Sequence, residues 1–345
     1  MKKVFKVITL SLFVITAVGG GLLYLKHNKP LSSFTMVANA AEIPSEYYQK
    51  KYIVVKAGKV IESADTLEET IEIAKNNKRV IAINTVNNEW VYCDLDPYMV
   101  MNGDTIHDFK TFTEAINYAI SNNYDNVYYK SDKNILWMRN PKLGEGRVLK
   151  VPFKQQLPEL PRGCEVTSLS MLLEYNNVSV DKLVLAQEVT KDTTPYSKKD
   201  GKVYFGNPYY GFVGDMYDLS KPGYGVYSTP IAKLASEFTS RPVLDMTNLQ
   251  FNDILYVVGQ GMPVWIVINS TFAPLPDSYF EYWNTDSGIV KVTYKMHSVL
   301  ITGYDNKHVY INDPLYDKPN RKVEINNFKA AWEQMGNQAV TIINY

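Results

Sequence analysis

Gly163-Cys164-Glu165 is the one place in this chain where residue type and local pattern point directly to nucleophilic chemistry. It follows the rigid segment Leu157-Pro158-Glu159-Leu160-Pro161 and opens a stretch to Tyr175 with Val166, Leu169, Leu172 and Leu173 on one helical stripe. A thiol in the first turn of a helix meets the positive end of the macrodipole, which favours the thiolate. The thiolate is the form that attacks a carbonyl carbon. Gly163 leaves room for a substrate backbone to approach. A small buried thiol kept for packing would use the same residue type, so the choice passes to the base.

The sequence contains four histidines. His27, His107 and His308 fall in a polar linker, a repeated segment and a turn, respectively. His297 heads the apolar run Ser298-Val299-Leu300-Ile301-Thr302, where a strand can hold an imidazole toward a cleft. Asp305-Asn306 predicts a turn that folds Ser298–Tyr304 back on Val309–Asn312. Asp313 then returns to the neighbourhood of His297 and can orient the ring, whereas Asp305 sits at the distal turn. Asn312 alternates to the opposite face. An amide upstream of the thiol, with the thiol residue's own N–H, can hold a tetrahedral oxyanion. Gln155 and Gln156 are both available for that role.

The segment Val151-Pro152-Phe153-Lys154-Gln155-Gln156-Leu157-Pro158-Glu159-Leu160-Pro161-Arg162-Gly163-Cys164-Glu165 resembles the nucleophile region of the C39-like peptidases. The resemblance continues through Gly206-Asn207-Pro208, Gly211-Phe212-Val213-Gly214 and Gly223-Tyr224-Gly225-Val226-Tyr227. It ends with His297-Ser298-Val299-Leu300-Ile301-Thr302-Gly303-Tyr304-Asp305 and Tyr310-Ile311-Asn312-Asp313-Pro314, covering roughly 148 to 345. It implies a papain-like fold and a cysteine peptidase of the Gram-positive extracellular type. On it, Cys164 is the nucleophile, His297 the general base and acid, Asp313 the orienting acid and Gln156 the oxyanion donor. Arg162 departs from the small polar residue often found there and alters the rim of the cleft. The chain carries none of the transporter segments of leader-processing peptidases, so bacteriocin export is not implied.

The elements that must position these residues follow in an α+β order, helix first and sheet later, over 148–345. Short helices are predicted near Pro230–Phe238 and Phe251–Val258, and strands at Val264–Ile268, Val290–Tyr294, Ser298–Tyr304 and Val309–Asn312. Thr190 to Thr229 reads mostly as a functional loop, rich in Gly, Pro and Tyr. Asn140-Pro141 through Arg147 marks a boundary.

Before it, 47–140 reads as a small α+β domain of two tandem repeats. Tyr52-Ile53-Val54-Val55 is echoed by Tyr98-Met99-Val100-Met101, and Thr66-Leu67-Glu68-Glu69 by Thr111-Phe112-Thr113-Glu114. Both Thr-x-x-Glu strings predict capping boxes. Their helices carry the faces Leu67, Ile71, Ala74 and Phe112, Ile116, Ala119, each needing its twin for burial. This unit offers no chemistry; it is a spacer or a module for a cell-wall or surface partner.

Residues 1–46 are expected to be a signal peptide or membrane anchor followed by a linker. Lys2, Lys3 and Lys6 precede the uncharged run Val7–Leu25, which as a hydrophobic helix spans roughly 28 Å, close to a bilayer core. Ala38-Asn39-Ala40 before Ala41 has the form of a cleavage site. The expected location is therefore extracellular or at the cell surface.

Lys+Arg and Asp+Glu both total 36, so nothing in the net charge recruits nucleic acid. No metal spacing or phosphate loop appears, and no cofactor is expected. Only Cys93 and Cys164 occur, too few for a disulfide scaffold. The expected partner is a peptide or protein substrate cleaved at a peptide or amide bond. Amide hydrolysis or acyl transfer on cell-wall peptide, and a non-catalytic surface binding protein, are the competing readings.

Overall fold

A computed structural model describes residues 50–102 and 105–344. The apolar run at 7–25, the small-residue site at 38–41 and the linker at 26–46 lie outside the described residues. Among the described residues no helix is long and apolar enough to cross a membrane.

The N-terminal half contains two four-stranded antiparallel sheets with the same strand order. The first runs Lys59–Ala64, Tyr52–Lys56, Val80–Asn84, Glu89–Cys93, with helix Leu67–Lys75 between its second and third strands in sequence. The second runs Thr105–Phe109, Tyr98–Asn102, Asn126–Tyr129, Ile135–Met138, with helix Phe112–Ser121. Thr111 and Glu114 form a complete capping box, Thr111 Oγ1 accepting the Glu114 N–H at 3.2 Å and Glu114 Oε2 accepting the Thr111 N–H at 3.0 Å. At the first helix only the hydroxyl half forms, from the Glu69 N–H to Thr66 Oγ1 at 3.3 Å.

The buried faces differ as well. Phe112, Ile116 and Ala119 are covered, as is Ala74 on the first helix, but Leu67 is 46% exposed and Thr70 is buried in its place. The first helix is therefore rotated from the face predicted, with Thr70 Oγ1 tied to the Thr66 carbonyl at 2.6 Å.

The C-terminal half is organised by a seven-stranded sheet. Val243–Asp245, Ala339–Ile342, Val264–Asn269, Met296–Asp305, His308–Asn312 and Arg321–Glu324 lie side by side, all antiparallel. Gly146–Val148 adds to the far end of Met296–Asp305 through Gly303, Tyr304 and Asp305. Val264–Asn269 is buried at every position, which requires cover on both faces. Helix Cys164–Tyr175 packs on Val264–Asn269 and Met296–Asp305, and helix Ile325–Gln334 also packs on Val264–Asn269.

Helix Cys164–Tyr175 was expected to bury one stripe. Instead every residue from Cys164 to Leu173 is buried. Small polar residues make this possible by turning their hydroxyls to backbone: Ser168 Oγ donates to the Ser298 carbonyl at 3.2 Å and Ser170 Oγ to Val180 at 2.6 Å.

The segment from Thr190 to Thr229 is not all loop. Lys191–Asp192 pairs in parallel with Phe212–Val213. Ser197–Lys199 and Lys202–Tyr204 extend a small sheet with Glu281–Thr285 and Gly288–Val292. One apolar cluster runs from the second N-terminal sheet into this half, including Phe112, Leu136 and Trp137 with Phe251, Ile254 and Trp265. Helix Phe251–Gly259 lies against strand Ile135–Met138 there.

Gly303 marks a register shift in the central hairpin, between Ile301 and Gly303. A Cβ there would collide with the Arg147 carbonyl oxygen and stand 2.7 Å from Val148 Cα, both backbone. Gly303→Ala is expected to lower stability by about 1–3 kcal/mol, read from the urea midpoint, by pushing Gly146–Val148 off the sheet.

Candidate active site

The hairpin Met296–Asp305/His308–Asn312 pairs Leu300 with Asn312, so the residue after Asn312 returns toward the start of the long strand. His297 Nε2 lies 2.8 Å from Asp313 Oδ1, and both side chains are almost completely buried. Burial pushes the Asp313 carboxyl up. The His297 hydrogen bond and charge, the Leu315 N–H and the Arg321 guanidinium outweigh that push and hold it below its usual value. An ionised carboxylate only accepts, so Nε2–H is the donor and the lone pair of the neutral ring sits on Nδ1. Asp305 is at the distal turn, accepting from the Lys307 and His308 N–H groups and the Tyr310 hydroxyl. Asn312 faces the other way, donating to the carbonyls of Val151 and Pro152 and accepting from the Asn320 N–H.

Arg321 was not singled out from the sequence. Its Nη1 donates to Asp313 Oδ2 at 2.7 Å, so the two carboxylate oxygens hold two different cations or donors. The guanidinium lies between Phe272 and Tyr316, 4.7 Å and 4.8 Å from the ring centroids. Phe272 also flanks His297, with ring centroids 6.1 Å apart. Its φ of +54° is uncommon for a bulky side chain. Asn269 fixes that turn, accepting from the Thr271 N–H at 3.0 Å and donating to the Ala273 carbonyl at 2.9 Å. A lone arginine in a polar strand reads as surface, so only the pairing with Asp313 in space reveals it.

Cys164 begins its helix as predicted, at a Gly163 N-cap, and is buried. Both cysteines are free. The nucleophile helix is tied to the strand residue next to His297 by Ser168 Oγ, which donates to the Ser298 carbonyl at 3.2 Å. The expected depression of the thiol pKa does not occur in this arrangement. Burial, the Glu165 charge and the Glu165 hydrogen bond push it well above its ordinary value, outweighing the N–H groups of Ser298 and Cys164 itself. The thiol donates to Glu165 Oε2 at 3.2 Å. Glu165 is the second residue the sequence reading passed over, because a charged residue in a first helical turn ordinarily faces water.

Of the two glutamines, Gln155 is exposed and donates to the Tyr316 carbonyl at 3.0 Å. Gln156 is buried, and its backbone N–H reaches the Pro314 carbonyl at 3.0 Å, beside Asp313. Its Nε2 donates to the carbonyls of Leu160 and Pro161 at 3.1 Å and 3.0 Å, while its Oε1 has no partner among the described residues. The amide hydrogens thus point at the segment entering Gly163-Cys164. Arg162 donates to the carbonyls of Asp215, Asp218, Leu219 and Lys221, so it pins the 215–221 loop beside the nucleophile helix.

His297 and Asp313 are thus paired at one end of the hairpin, the strap carrying Gln156 is bonded to the residue after Asp313, and the helix that starts at Cys164 packs on the strand carrying His297. Such a set can remove a proton from a thiol and stabilise charge on an acyl oxygen. Among the described residues no group of acidic, histidine or cysteine side chains is arranged to hold a metal ion.

The sequence model described as the Peptidase_C39 like family matches residues 148–340. The uncharacterised protein YvpB of Bacillus subtilis (strain 168) is 37% identical over 247 residues, 71% of this chain and 95% of that protein. A crystal structure from Bacillus anthracis assigned to the C39-like peptidases superposes with a TM-score of 0.55. It has 44% sequence identity and covers 59% of this chain and 99% of its own.

The lowered pKa of Asp313 carries a sign. The stability it confers is complete above the unfolded-chain value of about 3.9 and is lost as pH falls through the lower folded value. Asp313→Asn is expected to flatten the acid-denaturation curve below about pH 4, while lowering stability at neutral pH. Stability measured against pH by chemical denaturation checks both.

Proposed function

The chain belongs to the C39-like peptidase family, and on that premise we propose that it is an exported thiol hydrolase of papain-like fold that cleaves a peptide or amide bond. The observation that carries this reading is the His297–Asp313 hydrogen bond of 2.8 Å, on the strand against which the helix beginning at Cys164 packs. The extracellular setting rests on the basic residues and apolar run of the N-terminus.

In the proposed reaction the Cys164 Sγ–H proton passes to His297 Nδ1, and the thiolate attacks the scissile carbonyl carbon. The carbon–oxygen double bond opens to an oxyanion. The Cys164 N–H, in the first turn of the helix, and the Gln156 amide donate to it. Gln156 must release one backbone carbonyl to do so, and its closeness to the Leu160 and Pro161 carbonyls makes this a local exchange. Collapse of the tetrahedral species expels the amine, which takes the proton from His297 and leaves a thioester on Cys164. Water then attacks the thioester with His297 as base, releasing the acid and restoring the thiol. Asp313 keeps Nε2–H directed and stabilises the imidazolium formed midway.

The test is cleavage of a complex peptide mixture by the full chain, read as new termini by mass spectrometry. Wild type is expected to generate them. Cys164→Ala should reduce their formation by about 10³-fold or more, with an unchanged melting temperature. Equal cleavage by Cys164→Ala, or none by wild type at any pH, overturns the reading.

A further inference from the structure

Glu165 has surroundings that a surface-facing helix residue does not have. It is 1% exposed. Its Oε2 accepts the Cys164 Sγ–H at 3.2 Å and its Oε1 accepts the Val226 N–H at 2.8 Å. The Trp265 indole N–H donates to the Glu165 backbone carbonyl at 3.0 Å and fixes the turn that carries it. Gly225 supplies the space: a Cβ there would collide with Glu165 Oε1 on one side and the Met296 methyl on the other. The carboxyl is thus placed against the sulfur by two segments outside its own helix, the loop at 225–226 and the strand carrying Trp265.

Its electrostatic neighbours are few. On its own helix it meets Cys164, and across the 223–227 loop the Tyr224 and Tyr227 phenols, which bond each other at 2.9 Å. Trp265 brings no titratable group. Met296–Asp305 brings His297, whose Nε2 is bound to Asp313. The Arg162 guanidinium is occupied by loop carbonyls. Glu165 therefore has only backbone N–H groups and a thiol where Asp313 has an arginine and a histidine besides a backbone N–H. Burial pushes its carboxyl up to about 7, against its own N–H, the Val226 N–H and the thiol.

We propose that Glu165 is a catalytic residue of this site: as a neutral acid it donates its hydrogen bond to the Cys164 thiolate, and as a carboxylate it holds the site closed as a neutral thiol. The proposal rests on the thiol-hydrolase reading. The step balances without any co-reactant. One proton from solvent neutralises the carboxylate, and the Sγ–H proton moves to His297 Nδ1. That leaves thiolate, imidazolium and a carboxylic acid whose O–H faces sulfur. Loss of the carboxylic proton at higher pH puts a second negative charge against sulfur in a dry site, and the proton returns to the thiol. Nucleophilicity is thus switched off by rising pH, opposite to an isolated cysteine.

The test is the rate of Cys164 alkylation by iodoacetamide in the full chain against pH, read by mass spectrometry of the Cys164 peptide. Wild type is expected to lose rate as pH rises from about 6.5 to 8.5. Glu165→Gln keeps a donor toward sulfur without a charge and should be at least about tenfold faster than wild type at the upper end, a shift of one pKa unit or more. Superimposed profiles for wild type and a folded Glu165→Gln overturn the proposal. So does a wild-type rate that climbs steadily through this range, a result that stands even if the variant does not fold. A His297→Ala profile identical to wild type would instead overturn the thiol-hydrolase reading. Sensitivity to His297 with indifference to Glu165 removes this inference alone.

Discussion

A carboxylate taken out of water is costly unless each oxygen finds a strong donor, and Asp313 shows how completely this chain meets that demand. One oxygen takes the His297 ring and the Leu315 N–H, and the other takes Arg321. Each donor recruits further structure. Arg321 needs faces to lie on, supplied by Phe272 and Tyr316. Phe272 needs an unusual turn, supplied by Asn269. The segment after Asp313 holds the strap before the nucleophile helix, through the Gln156 N–H to Pro314 and Gln155 to Tyr316. Ring orientation, strap and helix start are therefore parts of one network around a single buried charge.

Glu165 is the same functional group in the opposite setting. It is as deeply buried, yet no cation among the described residues bonds it, so its proton affinity rises where that of Asp313 falls. Paired acids whose environments separate their titration in this way are a recurrent means of giving two carboxyls different tasks. The contrast here comes from backbone rather than from charge. Gly225 and the Val226 N–H make room for the Glu165 carboxyl but do not neutralise it.

The nucleophile helix was legible because Gly163 and the spacing of its apolar residues are local signals, and the hairpin because Asp305-Asn306 punctuates two apolar runs. Its full burial was not legible. Ser168 and Ser170 lie off the apolar stripe, yet small hydroxyls satisfied by backbone carbonyls fit a crowded interior. Arg321 and Glu165 were missed for a related reason: a charged residue declares its burial only through partners distant in sequence. Strands Val243–Asp245 and Ala339–Ile342 are too short to show a period of two, and their pairing is entirely long-range. The rotated first helix shows the limit of periodicity itself, since Leu67 and Ala74 both fit the stripe but only Ala74 is buried, with Thr70 covered in place of Leu67.

The strand Gly146–Val148 joins the long strand at Gly303–Asp305, the end opposite His297. Arg147 adds a hydrogen bond from Nη1 to the Gly259 carbonyl at 3.0 Å. Tension applied to the N-terminal half would load this short ladder as well as the packed surface between Phe251–Gly259 and Ile135–Met138. With its three residues exposed, Gly146–Val148 is the weaker of the two attachments. The two connections between the halves thus meet the long strand at its rim, and the imidazole sits at the other end, where the strand is paired with Val264–Asn269.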